Sequence, residues 1–154
     1  MGNFDGGVTL HGLLFFVITA ACPRFGSRQY ALRVLESIGL RDLFEVVFAV
    51  DDVLPACKPE PAAFEKVFAT LGVRAENCVM IEDSMKNVRA AKELGMRTVL
   101  ITGKGDHLTD GGQNLGKGDD LPQADDPAVD VAIRTVGELK ARLPGLWATP
   151  AVFS

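Results

Sequence analysis

An α/β fold, a doubly wound parallel sheet of the Rossmann-like kind, is the class this sequence predicts, and two observations point to it. Short unbroken apolar runs such as "VVFAV", "CVMI" and "TVLI" alternate along the chain with longer segments whose apolar residues recur at three- and four-residue steps. Strands covered by helices on both faces read as continuous apolar runs, whereas half-exposed strands alternate in polarity. With 154 residues, 47% hydrophobic and 23% charged, the chain has enough apolar mass for a packed core.

The elements follow in order. "LHGLLFFVITAAC", residues 10–22, is too short for a bilayer span, which takes about 20 apolar residues. It also lacks the basic flank of a secretory signal, since "MGNFDGG" carries Asp5 and neither Lys nor Arg, and Gly2 is not followed by a myristoylation pattern. A buried strand over residues 13–18 is the simpler reading. In "GSRQYALRVLESIGL", Ser27 is placed to cap a helix whose apolar positions are Ala31, Val34, Leu35 and Ile38, with Gly39 ending it. "EVVFAV", residues 45–50, reads as a strand. "KPEPAAFEKVFATLG" opens with prolines suited to a helix start, and Ala63, Phe64, Val67, Phe68 and Leu71 form one face before Gly72.

A strand over 78–81, a helix over 85–94 stopped by Gly95, and a strand over 98–101 come next. Residues 103–128 are rich in Gly and Asp. They match neither the GxxxxGK[ST] phosphate loop nor the ligand order of a calcium loop, and read as a flexible surface insertion. "VDVAI" and "TVGELKARL" then supply a last strand and a closing helix. The expected organisation is a divergent N-terminal segment over 1–25 holding one strand, a core over 26–102, the insertion over 103–128, and the final strand and helix over 129–147. No second domain is expected.

Charge and cysteine usage exclude several functions. A net charge of −4 without a basic patch argues against nucleic-acid binding, because phosphate contacts come from clustered Lys and Arg. Cys22, Cys57 and Cys78 form no CxxC pair, so neither a disulfide framework nor a zinc site is expected, and a reducing, cytoplasmic setting follows. His11 and His107 stand alone and read as ordinary loop or surface residues. No membrane partner is expected either.

The chemistry concentrates in "CVMIEDSMKNVRAAKELGMRTVLI", where Glu82 and Asp83 stand side by side at the end of an apolar run. In open α/β sheets ligands collect outside the carboxyl ends of the strands. Adjacent carboxylates repel unless a cation or hydrogen-bond donors neutralise them. Helix capping by Asp83 or Ser84 accounts for one of these residues. It does not account for the pair together with Asn87, one helical turn beyond Asp83, and with Lys58, which also follows an expected strand and opens a helix. One or two carboxylates suit Mg²⁺, which keeps several waters and bridges to phosphate. A lysine is a suitable point charge for a phosphoryl group.

"CKPEPAAFEKVFATLGV" and the Glu82–Asp83 segment resemble the third and fourth motifs of the haloacid dehalogenase-like (HAD) hydrolases. The resemblance runs from Gly26 to Ile101 and more weakly through "VDVAIRTVGELKARLPGLW", and "GSRQYALRVLESIGLRDLF" is most similar to the pyrimidine 5'-nucleotidase-like branch. It implies a Mg²⁺-dependent phosphatase acting on a small phosphorylated metabolite such as a pyrimidine nucleotide. Lys58 would stabilise the transferring phosphoryl group, Asp83 would hold Mg²⁺ with Glu82 assisting, and Asn87 and Ser84 would lie behind them.

The family's nucleophile belongs to a DxDxT motif on the first, central strand, and this chain contains none. The nearest text is "FDGGVTL", where Asp5 and Thr9 keep the outer spacing and Gly7 replaces the second Asp. Too few residues precede Asp5 to build a buried strand, and a parallel crossover to residue 13 would need about 10 to 12 residues. Thr19, after "FFVI", fits the phosphate-binding hydroxyl of the second motif, although "AACPRF" follows it where the branch runs on directly. The expected architecture is therefore a HAD-type core without the usual first strand and cap domain, truncated or divergent at its start, with residues 13–18 beside 78–81. The alternative to a working phosphatase is a catalytically inactive form, a pseudophosphatase acting as a binding module. The resemblance leaves its protein partner open.

Overall fold

The computed structural model describes residues 27–44, 46–103 and 121–147. Chain contacts divide the protein into two units, with the described residues up to Cys78 in one and those from Val79 onward in the other. Residues 13–18, Asp5 and Thr19 lie outside the described residues, so the expected central position of "LLFFVI" does too.

In the first unit, helix α1 spans Arg28–Ser37 and begins as expected at Ser27, whose hydroxyl oxygen accepts the Tyr30 N–H at 3.2 Å. It ends where Gly39 turns left-handed at φ 70°. There the Leu40 N–H donates to the Leu35 carbonyl at 2.9 Å and the Gly39 N–H to the Glu36 carbonyl at 3.1 Å, closing a Schellman motif. Ala31 and Leu35 are buried against Val47, but Val34 and Ile38, expected on the same face, are 38% and 57% exposed. Ile38 is the C-cap, where the backbone has already left helical geometry.

The expected strand over 45–50 is not seen among the described residues of that span, 46–50. Residues 46–49 are outside any helix or strand ladder, although Val47, Phe48 and Ala49 are buried, and helix α2 takes over at Val50–Val53. The cause is local. The Asp52 carboxylate, at the third helical position, reaches back to accept the Ala49 N–H at 2.8 Å, a capping bond that starts a helix where the apolar run continues. An apolar run reports burial, and burial does not require a ladder. Helix α3, Pro61–Leu71, places Ala63 and Val67 against Phe48, Val53 and Ala56, and Phe64 is buried on the same helix.

The second unit holds a three-stranded parallel sheet of β1 (Val79–Glu82), β2 (Arg97–Ile101) and β3 (Val131–Ile133), in that spatial order. Ile81 pairs with Val99 and Leu100 with Ala132. Helix α4, Met85–Glu93, is the crossover between β1 and β2. One face of the sheet, Val99 and Ile133 with Val79, Ile81 and Val131, packs on Leu139 and Leu143 around the short helix α5, Leu139–Arg142. The other face presents Leu100 to Met85 and Val88 of α4. Helices thus cover both faces, which is the doubly wound arrangement read from the sequence. The closing helix is shorter than "TVGELKARL" predicted: Val136–Glu138 forms a 3-10 turn around Gly137, a residue that weakens a helix by roughly 0.5–1 kcal/mol relative to Ala.

The Gly/Asp-rich stretch is anchored at its described end. The Arg89 guanidinium of α4 donates to Asp126 at 2.8 and 3.1 Å and to Gln123 at 3.3 Å. Lys92 pairs with Asp130, whose other carboxylate oxygen accepts the Thr98 N–H at 2.9 Å. Thr98 is fully buried in β2, and its hydroxyl donates to the Ala128 carbonyl while accepting the Asp130 N–H at 3.1 Å. Every polar atom that Thr98 takes into the core is therefore satisfied.

Leu100→Ala should destabilise the protein by about 2–5 kcal/mol, read as a lower denaturation midpoint, because it empties volume between the sheet and α4. A second expectation concerns acid. Burial pushes the Asp130 carboxyl up, but the Lys92 ammonium and the Thr98 N–H outweigh it and leave it below the usual value. The Ala128 N–H and Arg89 do the same for Asp126. Both groups bind protons more weakly folded than unfolded, so their contribution is complete above about pH 5 and is lost as pH falls through the lowered folded values. Chemical denaturation between pH 6 and pH 2.5 should show this acid limb, and Asp130→Asn should flatten it.

Candidate active site

β1 carries the chain to the carboxyl edge of the sheet, where Glu82 is its last residue and lies in register with Leu100. Asp83 and Ser84 form the connection, and α4 starts at Met85. Glu82 is half-buried and folds its carboxylate over this connection: Oε1 accepts the Asp83 N–H at 3.1 Å and the Ser84 N–H at 3.4 Å. The start of a helix leaves N–H groups without intrahelical partners and carries partial positive charge. Glu82 takes one of these donors, the N–H of the N-cap Ser84, and brings its negative charge to that end of the helix. Ser84 stands at the N-cap with extended backbone but makes no side-chain cap bond, so the capping explanation for Ser84 is not what the structure shows.

Asp83 is exposed at this turn. One turn into α4, Asn87 is only 5% exposed, and its side-chain amide makes no hydrogen bond among the described residues. A buried polar group without a partner costs about 1–3 kcal/mol, and such a group calls for a functional or solvent explanation. Among the described residues no cluster of three or more His, Cys, Asp or Glu side chains is placed to hold a metal ion. Mg²⁺ does not need one. Two adjacent carboxylates and a neutral amide oxygen, completed by water and phosphate, fit its preference for few protein ligands.

Lys58 belongs to the first unit. It is half-buried in a turn over residues 57–60 that leads directly into α3, and the Lys58–Pro59 peptide bond is cis. Among the described residues the segment before it is the buried run 46–49, which joins no ladder, followed by α2, where the sequence suggested a strand. The residue that sequence reasoning missed is Glu60. Its carboxylate accepts the Cys57 N–H at 3.2 Å and the Cys57 thiol at 3.5 Å. This hydrogen bond, with slight burial and the carboxylate charge, pushes the Cys57 thiol up. The sequence carried one sign of this: a glutamate at the residue before Pro61, where a short capping side chain is usual.

Comparison with known proteins bears on what these residues serve. Residues 10–95 match the family described as haloacid dehalogenase-like hydrolase. The chain is 32% identical over 102 residues to the pyrophosphatase PpaX of Halalkalibacterium halodurans, an alignment covering 65% of this chain and 45% of that protein. It is 31% identical over 81 residues to the phosphoglycolate phosphatase of Nitrosococcus oceani, covering 53% of this chain and 36% of that protein. Among solved structures, the HAD phosphatase from Thermococcus onnurineus superposes with a TM-score of 0.54 at 34% identity, covering 75% of this chain and 46% of that one. The L-2-haloacid dehalogenase of Xanthobacter autotrophicus shares the fold, with a TM-score of 0.58 at 21% identity over 79% of this chain and 53% of that one. The chain spans less than half the length of the two curated relatives named here. With residues 10–95, more than half of its 154, matched by the family, the chain belongs to the haloacid dehalogenase-like hydrolases.

Proposed function

We propose that this chain provides the metal-binding turn and the phosphoryl-facing lysine of a Mg²⁺-dependent phosphatase whose substrate is a small phosphate monoester. Asn87 is the observation that carries the reading. A buried amide without a hydrogen bond among the described residues, one turn beyond the Glu82–Asp83 pair, is costly for a purely structural helix start and useful behind a metal. Glu82 and Asp83 would hold the ion, with Asn87 behind them, and the ion when bound offsets negative charge on phosphate oxygens.

Each protein group then has a defined task. Glu82 organises the turn through its bonds to the Asp83 and Ser84 N–H groups. Asp83 offers a carboxylate at the solvent side of that turn. Lys58 offers a fixed positive charge to the phosphoryl oxygens, where charge spreads during transfer. Thr19 takes the hydroxyl role by family resemblance alone, and Asp5 is the nearest residue to the missing nucleophile motif. Relatives named for pyrophosphate and phosphoglycolate hydrolysis support a small phosphorylated substrate. The likeness of "GSRQYALRVLESIGLRDLF" to the pyrimidine 5'-nucleotidase-like branch makes a pyrimidine nucleoside monophosphate the particular compound to test. Among the described residues Cys57 and Cys78 are free thiols. No helix among the described residues is long and apolar enough to cross a membrane.

A second reading has its own observation. Gly7 in "FDGGVTL" stands where the acid/base Asp belongs, which favours a chain that binds metal and phosphate without turnover.

Titration with Mg²⁺ should shift the backbone amide resonances of residues 82–87, and Asp83→Asn should weaken that binding by about tenfold or more. Unchanged amides at millimolar Mg²⁺ would sink the metal assignment. Hydrolysis of p-nitrophenyl phosphate or uridine monophosphate by this chain alone is expected to be slight. A clear Mg²⁺-dependent rate lost in Asp5→Asn would instead make "FDGGVTL" a working nucleophile motif and dismiss the second reading.

A further inference from the structure

Glu60 occupies the N-cap position of α3 but does not cap it: its backbone is extended at φ −61° and ψ 129°, and its side chain makes no cap bond. Ser, Thr, Asp and Asn are favoured there because their short side chains reach the first helical N–H groups. Pro61, next in the chain, has no N–H and removes one such donor. The carboxylate of Glu60 turns the other way, backward along the chain. Its Oε1 takes the Cys57 N–H and thiol, while the Glu60 N–H donates to the Cys57 carbonyl at 2.8 Å. Bonds therefore run in both directions between residues 57 and 60. The two residues enclosed are Lys58 and Pro59.

We propose that Glu60 is the positioning residue for Lys58, clamping the backbone on both sides of it so that its ammonium is offered in one direction. The proposal rests on the reading of Lys58 as the phosphoryl-facing group. A lysine side chain has four rotatable bonds and is poorly ordered by itself. Fixing the backbone from which it projects removes part of the ordering that anion binding would otherwise require. The thiol contributes as a donor, and the Glu60 carboxylate, by raising the Cys57 value, keeps the proton that makes it one. An acceptor at residue 60 is what the clamp needs. Negative charge is not.

That distinction sets the experiment. The full-length protein, labelled with ¹⁵N and with ¹³C-lysine, is compared with Glu60→Ala and Glu60→Gln, using Lys58→Ala to assign the Lys58 resonances. Two readouts are taken: the Lys58 amide and Cε resonances with their relaxation, and the affinity for inorganic phosphate in the presence of Mg²⁺. Glu60→Ala should shift and mobilise Lys58 while leaving sheet resonances from residues 97–101 in place, and should weaken phosphate binding by about threefold or more. Glu60→Gln, which retains an acceptor oxygen, should restore both readouts to within about twofold of the parent protein. If Lys58 is unmoved in Glu60→Ala, or if Glu60→Gln is as impaired as Glu60→Ala, the clamp is overturned. A Lys58→Ala variant that binds phosphate like the parent overturns the role given to Lys58. The Lys58 resonances still decide the clamp in that case, so the two failures are distinguishable.

Discussion

The second unit depends on β2 being buried on both faces. Thr98, Val99 and Leu100 are at most 1% exposed, with Val99 facing α5 and Leu100 facing α4. A strand so placed has no freedom of register, because a slip by one residue would exchange its two faces. Thr98 adds a polar constraint to the apolar one. Its hydroxyl and N–H bring Asp130 and the Ala128 carbonyl to the start of β2, which fixes where the chain enters β3. Lys92 and Arg89 then tie the same segment to α4 through Asp130 and Asp126. These pairs are partly exposed and contribute modestly one at a time. They matter by fixing the orientation of α4, whose first turn carries the candidate site.

Register also places the chemistry. Because Val79 to Glu82 pair in step with Arg97 to Leu100, β1 ends one residue before β2 does. Glu82 is thus the last residue held by the ladder, and Asp83 is the first beyond it. The parallel crossover requires α4 to start almost at once, so its unpaired N–H groups open at the strand end. That is the common physical origin of ligand sites at the carboxyl edge of parallel sheets: backbone donors, strand-end side chains and a helix start meet where no ladder continues.

The parts legible in the sequence were those set by burial over many residues. The strands at 79–82 and 97–101, the helices at 28–37, 61–71 and 85–93, and the cap at Ser27 all follow from apolar spacing and local chemistry. Two kinds of feature were not legible. Residues 46–49 carry a strand's apolar pattern with no strand among the described residues, and the chain turns into α2 directly after them, where the Asp52 carboxylate takes the Ala49 N–H. The second kind is the direction a long polar side chain takes. Glu82 and Glu60 both bend back to backbone N–H groups, and composition or spacing gives no hint of which of several conformers a glutamate will use.

The adjacent carboxylates of Glu82 and Asp83 can now be treated as a problem in electrostatics. Two negative charges on neighbouring residues repel, and the helix start of α4 relieves this only for the group that reaches its N–H donors. Glu82 does so, through two bonds to Asp83 and Ser84. One carboxylate is enough for that purpose, and a serine already stands at the N-cap position. Asp83 adds a second carboxylate at the exposed side of the same turn. Asn87, on the same helix, is buried and its side-chain amide makes no hydrogen bond among the described residues. Such a buried amide costs about 1–3 kcal/mol, so the first turn of α4 combines two strand-end carboxylates with an unsatisfied polar group beneath them, the combination on which the proposed metal role rests.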